Sequence, residues 1–172
     1  MTPSKEHKMQ TPYFSIVFAS VLALTFPVAA AEKVAGINKD FQTLSETRAN
    51  IPDKPGHTFK QVTMVWKTAS SNPAFDRVSA SAVAQQDTIG TDSTERGYGT
   101  NHFQNGDVNY FGWEGVVKTA TKDGGDFETV SQGKFTWLGG TGKFKTIRGS
   151  GTYTCKFTPK GGQCDWEGEP EM

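Results

Sequence analysis

The sequence contains little cysteine and histidine, and it has no excess of charge of either sign. Among 172 residues there are two cysteines and three histidines, and the formal net charge at pH 7 is zero. A chain without net charge has no general basic field that would attract nucleic acid or an anionic membrane surface. The two cysteines, Cys155 and Cys164, have no second pair with which to complete a zinc site. We therefore expect no cofactor, no metal and no nucleic-acid partner, and any partner must be recognised by a local site.

The sequence also lacks a convincing amphipathic helix and an internal repeat of solenoid length. Hydrophobic residues instead alternate with polar ones. In the segment "KQVTMVWKT", for example, Val62, Met64 and Trp66 fall on one face of a strand. Several such segments are separated by glycine-rich turns. This pattern predicts a single all-β domain, either a barrel or a sandwich.

The N-terminus has the pattern of a secretory signal. Lys5 and Lys8 precede the apolar run "YFSIVFASVLALTFPVAAA", which ends in small residues at Ala31. We expect cleavage after Ala31, so residues 1–31 are the predicted signal peptide and the mature protein is periplasmic or secreted. An uncleaved membrane anchor is the alternative, because a run of this length could just span a bilayer. After cleavage we expect no stable membrane anchor.

The remaining chain divides into two predicted parts. Residues 32–56 are polar and end in a Pro/Gly cluster, so we interpret them as an N-terminal arm, with or without a short strand, before a barrel domain at 57–172. Residues 77–90 have the composition of a strand or a helix, and the neighbouring strands favour a strand. The segment "TDSTERGYGTN" that begins at Thr91 carries Glu95, Arg96 and Tyr98 and is predicted to be a polar loop. At a barrel mouth such a loop could bind a polar head group or a sugar, and a solvated connector is the alternative.

Cys155 and Cys164 are predicted to form a disulfide. An even, closely spaced pair in an exported protein is typical of a disulfide, and a free or metal-bound pair is the alternative. Pairing the two cysteines predicts a C-terminal hairpin in which Tyr153 lies opposite Trp166 and Phe157 opposite Gly162.

The stretch "GGTGKFKTIRGSGTY" looks at first like a phosphate-binding loop. A P-loop requires Ser or Thr after its Gly-Lys pair, whereas Phe144 follows Lys143 here, and the next residues continue as a strand rather than a helix. We interpret the stretch as a device that bends a sheet. It predicts a tight turn at Gly139 and Gly140, with Phe144 filling apolar space beyond it.

The segment "GDVNYFGWEGVVKTATKDGGDFETVSQGKFTWLGGTGKFKTIRGSGTYT" resembles the C-terminal half of the allene oxide cyclase-like and dirigent-like barrels. The shared features are a Gly-Asp hairpin, a "GG-[ST]-G-x-[FY]" corner and a "G-x-G" strand. The resemblance implies a single antiparallel eight-stranded barrel of the calycin-like or allene oxide cyclase-like type, with an apolar interior, often forming a homo-oligomer. Such barrels act on oxidised lipids and phenolic radicals. Their functional residues lie mostly in the N-terminal half, where this chain has no matching motif, so the resemblance assigns no catalytic residue.

Two residues are candidates for catalysis. Glu114 shares a face with Tyr110, and if that face is interior, Glu114 is a carboxylate in an apolar cavity, suited to general acid or base chemistry. The alternative is an exterior Glu114 opposite an inward Phe111/Trp113 face. His102 precedes an Asn-Gly pair that predicts a two-residue hairpin turn and places His102 opposite Asn109. It is a candidate base or ligand anchor, or else a solvated hairpin residue.

These observations favour an exported barrel that binds a small, largely apolar or phenolic molecule. The candidate ligand-binding residues are Trp66, Tyr98, Tyr110 and Trp113. A cofactor-independent isomerase, cyclase or stereodirecting protein acting on an oxidised lipid or phenolic is the alternative, and an envelope interaction protein is a further one. The sequence leaves open whether the protein is an enzyme.

Overall fold

The computed structural model describes residues 32–76 and 78–172, and strands dominate this part of the chain. The strands are β1 (Val34–Asn50), β2 (His57–Ser70), β3 (Val78–Ile89), β4 (Asp92–His102), β5 (Val108–Thr121), β6 (Phe127–Gly140), β7 (Arg148–Thr158) and β8 (Gly161–Glu171). Two short 3-10 helices lie in loops, at Asp123–Gly125 and Gly142–Phe144. The predicted signal peptide lies outside the described residues.

Each strand pairs antiparallel with the next, and β1 pairs with β8 to close a barrel. The predicted all-β, eight-stranded antiparallel barrel is confirmed. The loops after β1, β3, β5 and β7 lie at one end of the barrel, which we call the mouth. The loops after β2, β4 and β6 lie at the other end, which we call the closed end. In the part of the chain that the structure describes, no helix is long and apolar enough to cross a membrane.

The structure corrects the prediction of an N-terminal arm at residues 32–56, because most of this segment is β1. Residues Val34 to Lys39 pair with β8, and from Gly36 onward they pair with β2 as well. The register then shifts around Asp40, whose φ is 58°, and residues 42–50 pair with β2 alone. These last residues are all exposed, so no apolar alternation marks them as a strand. Tertiary pairing rather than local pattern makes this strand.

The structure also corrects the predicted polar loop that begins at Thr91, since Asp92–His102 is β4. The inward positions Ser93, Gly97 and Gly99 are buried, whereas the outward Tyr98 between the two glycines is exposed. Because the residues on its inner face are small, the sequence of this strand lacks the alternation of apolar and polar residues that predicts a strand. The period of two was present, but it alternated between small and large residues instead of apolar and polar ones.

The hairpin between β4 and β5 differs from its prediction by one residue. Gly106, with φ of 85°, donates its backbone N–H to Phe103 O at 3.0 Å, and Phe103 N–H donates to Asp107 O at 3.0 Å. These bonds make a three-residue loop with glycine in the left-handed position, which is another common hairpin connection. His102 therefore lies opposite Val108 rather than Asn109.

Apolar side chains fill the closed end. Phe144 and Ile147 are 0% exposed, and Phe144 stacks on Phe103 with ring centroids 4.2 Å apart. The sequence predicted a tight turn at Gly139 and Gly140, and this prediction is wrong. They end β6, and the turn follows them. The expectation that Phe144 fills apolar space is confirmed. We call this group the closed-end cluster: Val34, Phe75, Trp137, Phe144 and Ile147.

The C-terminal hairpin matches its prediction. Cys155 and Cys164 form a disulfide, and the register places Tyr153 opposite Trp166 and Phe157 opposite Gly162. A disulfide that closes so short a loop stabilises a protein by about 2 to 3 kcal/mol, chiefly by restricting the unfolded chain.

Candidate functional site

The barrel encloses a cavity of about 630 Å³ that is lined by side chains from all eight strands. This volume lies within the range of roughly 300 to 1,000 Å³ found for small-molecule sites. A close-packed protein interior, by contrast, contains few voids larger than a water molecule. Many aromatic rings line its walls, among them Phe41, Trp66, Phe111, Trp113, Phe135 and Trp166.

Inward-facing glycines determine how these rings lie. A Cβ atom added at Gly97 would collide with the ring of Trp113, and one added at Gly99 would collide with the ring of Phe111. Each ring belongs to the residue directly opposite on β5. Because glycine has no side chain, the ring of the paired residue can lie against the backbone of the next strand. The rings therefore cover the wall and leave the centre of the barrel open.

One cross-strand row carries polar side chains into the cavity. Tyr153 on β7 is paired with Gly133 on β6, which is paired with Gly115 on β5, which is paired with Glu95 on β4. Three strand spacings separate Tyr153 from Glu95, roughly 14 Å between Cα atoms. A Cβ atom at Gly133 or Gly115 would collide with the hydroxyl of Tyr153. The two glycines thus make room for Tyr153 to reach across two strands to Glu95.

The carboxylate of Glu95 accepts two hydroxyl hydrogen bonds. Tyr153 Oη donates to Glu95 Oε1 at 2.7 Å, and Ser131 Oγ donates to the same oxygen. Burial raises the pKa of the Tyr153 phenol, and the adjacent charge of Glu95 raises it further. Tyr153 consequently remains protonated and serves as a donor to Glu95.

The same row continues beyond Glu95 on its other side. Glu95 is paired with Gln86 on β3, and Gln86 is paired with Lys60 on β2. All of these side chains line the cavity. We call the four polar members the polar row: Lys60, Gln86, Glu95 and Tyr153. The row brings a carboxylate, an amide, a phenol and an ammonium group into a cavity whose lining combines aromatic rings with further polar side chains, among them Glu46, Gln85 and Asn101.

A second polar group of the cavity lies among the aromatic rings. Trp66 lines the cavity and is 6% exposed, and its indole N–H has no hydrogen-bond partner among the described residues. Its ring contacts that of Trp113 edge to face, with centroids 6.5 Å apart. A buried donor of this kind gains from a ligand or water that supplies an acceptor.

The structure separates the residues that the sequence nominated. Trp66 and Trp113 line the cavity, as expected of ligand-binding residues. Tyr98 and Tyr110 lie on the outer face and are 70% and 44% exposed. Glu114 is also on the outer face, which is the alternative arrangement with Phe111 and Trp113 inward. The larger apolar rings take the interior because their burial is worth more than that of the opposite face.

His102 lies on the outer face as well. It is exposed, and its Nε2 is 3.1 Å from the hydroxyl of Ser81. Neither His102 nor Glu114 contributes to the cavity lining. The structure therefore does not bring together the two residues that were nominated for catalysis.

Sequence reasoning named Glu95 only as part of a polar loop and did not identify the polar row. Glu95 was assigned to a loop, so its place on an inner face was hidden. The available signal was the series Ser93, Glu95, Gly97, Gly99 and Asn101, in which every second residue is small or able to form hydrogen bonds. Nothing in the sequence indicated that Tyr153 would reach Glu95, because that contact depends on glycines from two intervening strands.

A histidine joins two segments at the mouth. His57 Nδ1 is 2.5 Å from Asp53 Oδ1 in the loop after β1, and His57 Nε2 is 2.7 Å from Asp87 Oδ1 on β3. An imidazole can donate to both carboxylates only when both its nitrogens are protonated. The hydrogen bond to Asp53, followed by that to Asp87, raises the pKa of His57 above its ordinary value.

Within residues 32–76 and 78–172, no group of three or more His, Cys, Asp or Glu side chains is arranged to hold a metal ion. No known protein family, curated protein or solved structure matches this chain. The geometry of the cavity therefore carries the functional argument.

Proposed function

We propose that this protein binds a small, largely apolar molecule in the interior of its barrel. The observation that carries this proposal is the cavity of about 630 Å³, whose wall combines many aromatic rings with polar side chains such as Glu95 and Tyr153. Most known ligand sites combine an apolar wall with a small number of polar groups that orient the ligand. The inward glycines also support it, because they place the rings flat on the wall, where larger side chains would fill the space.

A substitution that fills the cavity tests this proposal. Ala84 lines the cavity on β3, and its neighbour Val83 points outward and is 44% exposed. Ala84→Phe is expected to weaken binding of a hydrophobic fluorescent dye at least about tenfold, which is about 1.4 kcal/mol. Val83→Phe places the same ring on the outside of the same strand and should leave the affinity within about twofold.

The measurement is a dye titration by fluorescence, with circular dichroism to verify the fold of each variant. Overpacking an interior costs about 1 to 3 kcal/mol, so Ala84→Phe is expected to lower the melting temperature without unfolding the barrel. If the dye does not saturate the unsubstituted protein, or binds equally well to a folded Ala84→Phe variant, the cavity is not the binding site.

We also propose that the protein is exported to the periplasm or the exterior, and that its barrel belongs to the calycin-like or allene oxide cyclase-like group. The first part is supported by the signal-like N-terminus and by the Cys155–Cys164 disulfide, since disulfides persist in oxidising compartments. The second part is supported by the resemblance of the glycine-rich corner and the strand that follows it.

Mass spectrometry of the protein from an exporting cell tests the export proposal. The expected mass is that of a chain beginning at Glu32, less the two hydrogens lost in forming the disulfide. A chain that retains the apolar run and has both thiols free would contradict it.

A further inference from the structure

We infer that the polar row selects an organic cation, that is, an apolar amine whose protonated nitrogen binds Glu95 while its body lies against the aromatic wall. This inference rests on the ligand-binding function proposed above and names the chemical class of the ligand. It follows from the hydrogen bonding of Glu95, from its charge environment and from the ring beside it.

Glu95 retains free acceptor capacity. Tyr153 and Ser131 both donate to Oε1, and Oε2 has no donor among the described residues. An ionised carboxylate offers about four lone-pair sites, so two hydroxyls leave part of it available. Because the two hydroxyls hold Oε1 in place, the carboxylate is already oriented when a ligand arrives, and less ordering is needed on binding.

The charge of Glu95 is not compensated by a cation of the protein. Glu95 forms no ion pair with any described residue, and the adjacent Arg96 points outward and donates to Gln85 at 3.1 Å. Neutral hydroxyls stabilise a carboxylate, but a partly buried carboxylate without an ion-pair partner still gains from a cation. A ligand with a protonated amine supplies that cation.

An aromatic ring covers the inner face of the same strand one inward position from Glu95. Trp113 covers Gly97, which is two residues from Glu95 on the same inward face of β4. The indole face is the best aromatic surface for a cation. Trp66 contacts Trp113 and extends the aromatic surface deeper into the cavity. A cationic nitrogen at Glu95 would therefore meet a carboxylate and a ring face together, with space for an apolar body beyond.

Lys60 lines the same cavity, and its positive charge would favour an anionic ligand over a cationic one. It stands two strands from Glu95 in the polar row and forms no ion pair with it. A lysine side chain is flexible and keeps its ammonium group in water where it can. Lys60 is only three residues from the mouth end of β2, so its ammonium group has such a route. The carboxylate is fixed and the ammonium is not, so Glu95 determines the preference.

Three ligands of nearly the same shape test the inference. Naphthylmethylamine is a cation at neutral pH, naphthalenemethanol is neutral and naphthoic acid is an anion. In isothermal titration calorimetry of the mature protein, the amine is expected to bind at least about tenfold more tightly than the alcohol. Glu95→Gln should remove this preference and leave the affinity for the alcohol within about twofold.

Glu114→Gln is the matched control. Glu114 is one residue from Gly115 of the same row but is exposed on the outer face, so its substitution removes the same charge from outside the cavity. The amine preference should survive in this variant. The ranking of the three ligands on the unsubstituted protein remains decisive even if Glu95→Gln does not fold.

Each contrary outcome has a distinct meaning. If the alcohol binds and the amine gains nothing over it, the inference is overturned while the ligand-binding function stands. Tightest binding by naphthoic acid would also overturn it and would make Lys60 the deciding group. Loss of the preference in Glu114→Gln would show that long-range charge, rather than the cavity, sets it. If none of the three ligands and no hydrophobic dye binds, the proposed function fails together with the inference.

Discussion

The contact between Tyr153 and Glu95 links strands that are not adjacent in the barrel. Replacing Tyr153 by Phe removes one hydroxyl donor to a charged acceptor and leaves the ring in place. Hydrogen bonds to charged groups contribute about 1.5 to 3 kcal/mol to stability. We expect Tyr153→Phe to lower the free energy of unfolding by that amount, as measured by urea denaturation monitored by tryptophan fluorescence.

Tyr98→Phe is the control for this change. Tyr98 is 70% exposed on the outer face, so loss of its hydroxyl should alter the free energy of unfolding by less than about 0.5 kcal/mol. Equal effects of the two substitutions would mean that the bond to Glu95 adds nothing to stability.

At the scale of single residues, the sequence predicted side chains well where their size determines their position. Trp66 and Trp113 were nominated from alternation and face the cavity. Glu114 and Tyr110 were candidates only if their face was interior, and the structure shows the alternative arrangement, because alternation by itself does not say which face is interior. Glu95 was placed in a polar loop, and its contacts with β6 and β7 were not predicted because no local pattern encodes a contact over such a separation.

The loop after β1 is held to β3 by a protonation-dependent contact. Asp53 and Asp87 raise the pKa of His57 above its ordinary value near 6.5. For a pKa that is raised in the folded state, the stabilisation is fully present below the unfolded value and is lost as pH rises through the folded value. We therefore expect the contact of His57 to stabilise the protein fully below about pH 6.5. Its contribution to the melting temperature should disappear as the pH rises above the raised pKa of His57.

The test compares His57→Gln with the unsubstituted protein from about pH 5 to about pH 9, around the ordinary value for histidine. The difference in melting temperature should be largest at the acid end and should shrink as pH rises. An NMR titration of His57 should show its pKa falling in Asp53→Asn and in Asp87→Asn. Asp92→Asn removes a nearby carboxylate that pairs with Lys118, and it should leave the titration unchanged. A difference that grows with pH would contradict the mechanism.

At the scale of elements, the predictions succeeded where covalent chemistry or turn residues restrict the chain. The disulfide set the register of the β7–β8 hairpin, which matched residue by residue. The predicted register of the β4–β5 hairpin was wrong by one residue, because the Asn105-Gly106 pair fits both a two-residue and a three-residue loop. β1 and β4 were missed because their alternation is not one of apolar and polar residues. β1 is a strand through its pairing with β2 and β8, which only the closed barrel supplies.

The two ends of the barrel differ in how their side chains are packed. The closed end is filled by the closed-end cluster, whereas the mouth carries polar side chains and the partly exposed ring of Phe127. Packing at one end holds the strands in a closed barrel. The other end can then leave a cavity unfilled without loss of the fold. A second core cluster, of Trp66, Ala80 and Ala82, packs within the barrel wall, so the cavity remains open between two packed groups of side chains.

This division predicts opposite effects for two similar substitutions. Phe144→Ala removes a ring that is 0% exposed, so it should lower the free energy of unfolding by about 3 to 5 kcal/mol. Phe127→Ala removes a ring that is 42% exposed at the mouth, and it should cost less than about 1.5 kcal/mol. Binding of a hydrophobic dye should show the reverse order, weakening in Phe127→Ala and persisting in Phe144→Ala at temperatures where that variant is folded. Urea denaturation and dye titration of both variants measure the two effects. A Phe144→Ala variant that keeps its stability but loses the dye would place the binding site at the closed end and refute this division.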